Sequence, residues 1–424
     1  MSELFFLPTV LATLLSLVAV KAGRWAAVAA ILSMLLFTAQ SYVADLASLP
    51  YLGEVRVMVN GQKLPFILTS VVLGLVVTVY AERYLQHLKA ERWYYAVQAL
   101  YVLSFVYIIV FENLIFVFLA LELSIITSFL LIWYFGYGDR RRVGLLYFIW
   151  AQVGSVLFLV GVALSGTYLA SAFKAAGTAA MIVLIGLLVK MGTAGVHFWL
   201  PYAHAEAPTP LSALLSPVHV GLMAYWIWRL REGAGWSLEA LYLYGLATAI
   251  YGSLLVFRES DIKRALADST IANMGLLVAA ASIPKPELSY LATAILFVGH
   301  AFAKAAGFML AGIYIVGLHT RDLNQLKWDT RILALGVLSF VALSGVFGIN
   351  LLGKAMVAVG APQVMTAAVL LIAALFSTAV YSFYLLHRIY KGGHEEIPTP
   401  AGMYLPALAA AAAPFVLLVV VFAI

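Results

Sequence analysis

A chain of 424 residues that is 64% hydrophobic and 10% charged cannot be an ordinary soluble globule, in which apolar residues make up ~45–50% and charged ones ~25%. The absence of cysteine excludes disulfides, thiolate-held iron–sulfur or nickel–iron centres and cysteine nucleophiles within the polypeptide. The formal net charge of +6 is scattered through short connectors rather than gathered on one face, which argues against nucleic acid and for a lipid bilayer as the surrounding phase.

Apolar runs long enough to cross about 30 Å of hydrocarbon, about 20 residues each, recur with brief punctuation. They predict an all-α polytopic membrane protein with about fourteen spans: 4–20, 25–44, 64–81, 93–111, 113–136, 143–170, 177–200, 209–230, 237–257, 265–283, 288–317, 331–357, 362–390 and 402–424. The first begins at Leu4 without a basic leader or a small-residue cleavage pattern, which predicts a retained helix. The run from Tyr94 to Phe135 is too long for one span and divides at Glu112–Asn113, where Glu112 reads as an interface residue. No connector is large enough to form a separate domain, so 1–424 is expected to be one membrane domain.

Sixteen basic residues fall in connectors on one side, among them Lys89, Arg140, Arg141, Arg142, Arg258, Lys263 and Arg264; six, Arg56, Lys63, Lys174, Arg229, Arg231 and Lys285, fall on the other. Cytoplasmic connectors are the ones rich in Lys and Arg, so the bias predicts both termini on the outer side of the cell membrane. Three lysines are left over. Lys190, Lys304 and Lys354 lie inside apolar runs, where a charge costs at least ~2.5–3.5 kcal/mol on insertion scales and implies a polar pathway or a partner.

Two spans are expected to be interrupted. Pro201, Pro208, Pro210 and Pro217 follow Lys190, and Ser344, Gly345 and Gly348 precede Lys354. Proline removes a backbone donor and glycine releases helical geometry; broken backbone inside a membrane is tolerated where protein or water satisfies it, as in transport pathways. The alternatives are a loop ending for the first and a close helix contact for the second.

Glu122 lies near the middle of the fifth span, far from either connector, and Lys190 lies at similar depth. A Glu122–Lys190 pair would relieve both desolvation costs and couple their protonation; the alternative is a static ion pair, a poor stabiliser. His300 and Lys304, at i and i+4, share a helix face, and histidine switches protonation near physiological pH. The alternative is a core histidine bonded to a carbonyl. His219, two residues after Pro217, is expected to rest on the freed carbonyl or to reach Lys190 through water. His204 and Glu206, in PYAHAEAPTP, either line a proton entry or cap the following helix. Lys354 has no carboxylate in its own segment and can reach one side by snorkelling. None of these groups forms a metal-ligand or cofactor-binding pattern.

The stretch VKMGTAGVHFWLPYAHAEAPTPLSALLS, supported by ENLIFVFLALELS, DIKRALADSTIANMG, GHAFAKAAGF and HTRDLNQL in order over about 93–355, resembles the antiporter-like membrane subunits shared by respiratory complex I, membrane-bound energy-converting hydrogenases and Mrp-type sodium/proton antiporters. The resemblance implies fourteen helices with two inverted five-helix repeats, over 93–231 and 237–391, and broken seventh and twelfth helices. It also implies a polar axis from Glu122 and Lys190 through His219 to His300, Lys304 and Lys354. Where many relatives carry an eighth-helix lysine this chain has Gly221, and Asp268 replaces a common tyrosine. The expected function is a proton-translocating subunit of a redox-driven membrane complex. Its partners would be other antiporter-like and small membrane subunits, and hydrophilic subunits holding iron–sulfur, nickel–iron or flavin centres. The alternative is a subunit of an Mrp-type antiporter without a redox partner, with sodium as a second ion.

Overall fold

In the computed structural model, residues 2–88 and 91–423 are described; Lys89, counted above among the connector cations, and Ile424, the end of the last expected span, lie outside them. Helices α1 (Glu3–Ala22), α2 (Arg24–Ser33) and α3 (Leu64–Leu88) lead into α4 (Trp93–Val110), α5 (Leu114–Phe135), α6 (Arg140–Ser165) and α7 (Gly177–Met191). The chain continues through α8 (Trp199–Glu206), α9 (Thr209–Leu214), a π-helical turn (Leu215–His219), α10 (Leu222–Ala234), α11 (Leu238–Val256), α12 (Ile262–Ala281) and α13 (Pro286–Leu318). It ends with α14 (Thr330–Ser344), α15 (Ile349–Val359), α16 (Met365–Lys391) and α17 (Ala401–Ala423). Among the described residues eleven helical stretches are long and apolar enough to cross a membrane, two of which, Thr209–Ala234 and Thr330–Val359, are composites of consecutive helices.

Local chemistry places the boundaries. The α4–α5 division falls where expected because the Asn113 side chain accepts from the Ile115 amide at 3.0 Å, capping α5. Asp261 likewise caps α12, accepting from Lys263 N at 2.8 Å and Arg264 N at 3.3 Å, and Asp329 caps α14, accepting from Ile332 N at 2.8 Å. Helix α12 is buried along almost its whole length, chiefly between α11, α13 and α8, so it and α13 form the centre of the second half.

The purely helical expectation needs one correction. The second span ends early: α2 and a short 3₁₀ turn, Met34–Thr38, are followed by an antiparallel hairpin of β1 (Tyr42–Leu49) and β2 (Gly53–Val59). The residues alternate as strands do, with Val55, Val57 and Val59 buried and Glu54 and Arg56 turned outward. Arg56 donates to Asp45 at 2.7 Å across the pair.

The charge assignment is corrected too. Lys63 and Lys263, taken as connector residues, are as buried as Lys190, Lys304 and Lys354. Lys63 Nζ donates to Glu112 Oε1 at 2.6 Å, and Arg229 reaches Glu112 Oε2 at 3.2 Å. Glu112 is therefore the centre of a buried ion cluster tying the start of α3 to the α4–α5 junction and α10. Lys263 is buried because its ammonium donates to the carbonyls of Ala205 and Ala207, which the α8–α9 interruption leaves free.

Candidate functional site

Both expected interruptions are present, and glycine rather than proline makes the first. Helix α7 ends at Gly192, which takes φ +63° as its C-cap and returns its N–H to the last turn, and side chains add to that closure: Thr193 Oγ1 donates to Leu188 O at 3.2 Å and Trp199 Nε1 to Val189 O at 3.2 Å. Pro201 sits inside α8 and Pro210 in the first turn of α9, positions that do not require its missing donor. The second interruption runs from Gly345 (φ +69°) to Gly348 (φ +80°). Here Lys354 turns back from α15 and donates to Ser344 O at 2.5 Å, while Asn350 Nδ2 donates to Ala342 O at 2.9 Å. Lys354 is thus a cap for the broken helix as well as a buried cation, and it does not snorkel.

Lys190 occupies the last turn of α7 and is 3% exposed. Its stem fits because α6 carries Gly154 opposite it: a Cβ there would lie 2.8 Å from Lys190 Cγ. Among the described residues no group hydrogen-bonds to Lys190 Nζ. Glu122, on α5, is half-buried; its Oε2 accepts from Gln152 Nε2 at 2.5 Å, and its Oε1 is buried with no partner among the described residues. The expected Glu122–Lys190 contact is therefore not closed, although Glu122 is the carboxylate that bears electrostatically on Lys190.

His219 ends the π-helical turn created around Pro217. It rests on neither a freed carbonyl nor Lys190. Its Nδ1 pairs with Tyr101 OH at 2.8 Å and its Nε2 lies 3.4 Å from Ser124 Oγ, two residues from Glu122 on α5. Gly221, where many relatives have lysine, is closely packed: a Cβ would meet Pro217 O at 2.6 Å and the Phe297 ring at 3.0 Å.

In the second half, Lys304 is fully buried and donates to Leu266 O and Ser269 Oγ, both on one turn of α12. His300, one turn before it, is 1% exposed, and among the described residues neither ring nitrogen has a partner. The backbone of Ser216 nevertheless bears on the His300 ring as a hydrogen-bonding group, which is the carbonyl-facing alternative in a loose geometry. A bridge leads on to Lys354. Asn273 Nδ2 donates to Ser269 O at 2.8 Å and to Tyr381 OH at 2.8 Å; Thr378, one turn from Tyr381 on α16, accepts from Lys354 Nζ at 2.8 Å. Of the two candidate entry residues, His204 lies close enough to this row for Lys304 and His219 to bear on it electrostatically. His204 is fully buried against Phe308 with both nitrogens unpartnered among the described residues. Glu206 ends α8, with Arg321 4.0 Å from its Oε1.

These elements place Lys190, Lys304 and Lys354 in one polypeptide interior with hydroxyl, amide and imidazole groups between them. The family described as NADH:quinone oxidoreductase/Mrp antiporter, TM matches residues 112–335, more than half of the chain. The chain belongs to this family. Among curated relatives, it is 30% identical over 300 residues to a probable K(+)/H(+) antiporter protein of Rhizobium meliloti, covering 66% of this chain and 30% of that protein. It is also 30% identical over 227 residues to the NADH-quinone oxidoreductase subunit M of Pseudomonas aeruginosa, covering 50% of this chain and 44% of that one. The chain spans less than half the length of either. Among solved structures, a chain of the Mrp complex from Dietzia sp. superposes with a TM-score of 0.78 at 19% identity, covering 97% of this chain and 89% of that chain; this likeness is one of fold. The family matches agree with an antiporter-like integral membrane subunit.

Sequence reasoning within this family missed the groups that hold the charged ones: Gln152 against Glu122, Tyr101 and Ser124 against His219, and Asn273, Tyr381 and Thr378 between Lys304 and Lys354. A faint signal exists for some of them. Gln152 lies in the apolar middle of α6, and Asn273 follows Asp268, Ser269 and Thr270 in the polar stretch of α12; a polar side chain at such depth needs a partner.

Proposed function

We propose that this chain is a proton-translocating, antiporter-like subunit of a larger membrane assembly, passing protons along Glu122, Lys190, His219, His300, Lys304 and Lys354, with His204 and Glu206 at an entry. The observation that carries the reading is the open state of the first charged pair. A purely structural Glu122–Lys190 bridge would be closed, because leaving both charges unpaired inside a membrane is costly; here the ammonium has no hydrogen-bond partner among the described residues and one carboxylate oxygen is free. A pair that can close and reopen changes its protonation as it does so.

The chain is read as fourteen spans arranged as two inverted repeats, 93–231 and 237–391, with both termini on the outer side. Supporting this are the paired interruptions, one in each half, each within two turns of a buried lysine. Partner membrane subunits are supported by Glu122 itself, since a half-buried carboxylate in the middle of an apolar helix has to be covered by protein rather than lipid. The drive is either electron transfer in hydrophilic subunits holding iron–sulfur, nickel–iron or flavin centres, the thiolate-held ones of which this cysteine-free chain cannot ligate, or exchange against a second cation such as sodium. Isolation of the native assembly separates these: subunits with redox centres support the first, an assembly of membrane subunits alone the second. Lys190→Ala in that assembly should stop proton movement while leaving its composition intact. Unchanged proton movement would assign the chain a scaffold role.

A further inference from the structure

Beside the α7–α8 interruption lies a cavity of about 320 Å³ between α8, α11 and α12 that none of the groups above uses. Its mouth carries Arg258, Glu259 and Arg264, its wall His197 and Tyr251, and its floor Asp268. Arg264 is engaged by Glu259 at 3.1 Å and lies over the Tyr202 ring, and His197 Nε2 pairs with Tyr251 OH at 3.1 Å. Asp268 is 3% exposed and faces the cavity, and among the described residues no protein group donates a hydrogen bond to its carboxylate, whose oxygens are not enclosed. A carboxylate at this depth is costly to keep. Its chain neighbours supply a reason to keep it: Lys304 is anchored on Leu266 O and Ser269 Oγ, the residues two before and one after Asp268. Asp268 is the carboxylate that bears electrostatically on Lys304.

The geometry points to Asp268 as a proton-loading residue for Lys304, fed from the aqueous side that holds the Arg258–Arg264 connector. In this step a proton leaves water in the cavity for the Asp268 carboxylate. It then passes from the carboxylic acid to the unprotonated Lys304 amine, regenerating carboxylate and leaving an ammonium. The inference rests on the proton-translocating reading above and adds to it a separate loading point for Lys304, while net proton movement still depends on the Glu122–Lys190 pair. The charged and titratable groups facing Asp268 are Lys304 from α13, Glu259 and Arg258 from the α11–α12 connector, Arg264 on its own helix, and His197 and Tyr251 from the interruption and α11.

The chain's lack of cysteine permits a direct test in native membranes. Asp268→Cys, Tyr251→Cys and Lys190→Cys are each exposed to a membrane-impermeant methanethiosulfonate from either side, and modification of this chain is read by mass spectrometry. Cysteine at 268 should react from the Arg258 side at least about tenfold faster than cysteine at 190, since reaction follows exposure and thiolate character. Equal, slow reaction at 268 and 190 with fast reaction at 251 would overturn the cavity route. In transport, Asp268→Asn should slow proton movement about tenfold or more, with Asp268→Glu restoring part of it. If Lys190→Ala abolishes proton movement and Asp268→Asn does not alter it, the loading role falls and the wider reading stands. If Lys190→Ala has no effect, the wider reading falls.

Discussion

Gly154→Ala separates packing from function at Lys190. The added methyl would lie 2.8 Å from Lys190 Cγ and 3.1 Å from Gly186 O across the α6–α7 seam; the lysine stem can yield, the backbone oxygen much less so. Overpacking of this kind costs about 1–3 kcal/mol, equivalent to about 5- to 150-fold in the population of the native arrangement. Gly161→Ala, two turns along the same seam, is the matched control, with its methyl 2.6 Å from Val183 Cγ2, 2.7 Å from Val183 N and 2.9 Å from Ala179 O but remote from any charge. Thermal midpoints of the purified assemblies should fall for both, and more for Gly161→Ala, which presses on backbone. Proton movement in sealed vesicles, normalised to the amount of assembly, should fall by about tenfold for Gly154→Ala and change little for Gly161→Ala. Equal transport by the two variants would refute the argument that the position of Lys190 limits the flow.

Lys63→Met leaves Glu112 buried with Arg229 alone and should destabilise the chain by up to about 3–5 kcal/mol, while Lys63→Met with Glu112→Gln should recover most of that loss; a thermal double-mutant cycle shows whether it does. Thr378→Val removes one of the two acceptors that hold Lys354 and should cost about 1.5–3 kcal/mol, together with a slower proton flux that Tyr381→Phe reproduces; wild-type flux in both would remove the α16 bridge from the pathway. In the hairpin, the hydrogen bond from Arg56 holds the Asp45 carboxyl below its usual range. Its stabilising contribution is therefore complete above the ordinary carboxylate pKa and is lost as pH falls through the lowered folded value. The pair is partly exposed and the effect is small, so amide protection of 42–59, corrected for intrinsic exchange, should be the same at neutral and mildly acidic pH and drop only in strong acid.

The helical content was legible because lipid imposes long apolar runs, and thirteen of the fourteen expected segments coincide with a helix or a pair of helices over most of their length. The segment 25–44 did not, because hydropathy summed over that window does not register the 3₁₀ turn at Met34–Thr38 or the strand that begins at Tyr42. Lys190, Lys304 and Lys354 stood out as charges without a connector. Lys63 and Lys263 did not, because a lysine at a helix end reads as solvated whether its ammonium reaches water or, as here, Glu112 and two freed carbonyls. The prolines marked this region but not its first break: Gly192 ends α7, whereas Pro208 precedes α9 and Pro217 lies in the π-helical turn. Side-chain partners drawn from distant helices, such as Tyr101 with His219 at a separation of 118 residues, leave no local pattern to read.

The central claim is that protons cross through this chain by way of the open Glu122–Lys190 pair. The native assembly, purified with wild-type chain, Glu122→Gln or Lys190→Ala and sealed into liposomes containing a pH-sensitive dye, tests it when energised by its own driving reaction. The account predicts a pH change with wild type and almost none with either variant at equal assembly content; a wild-type pH change with both variants would contradict it.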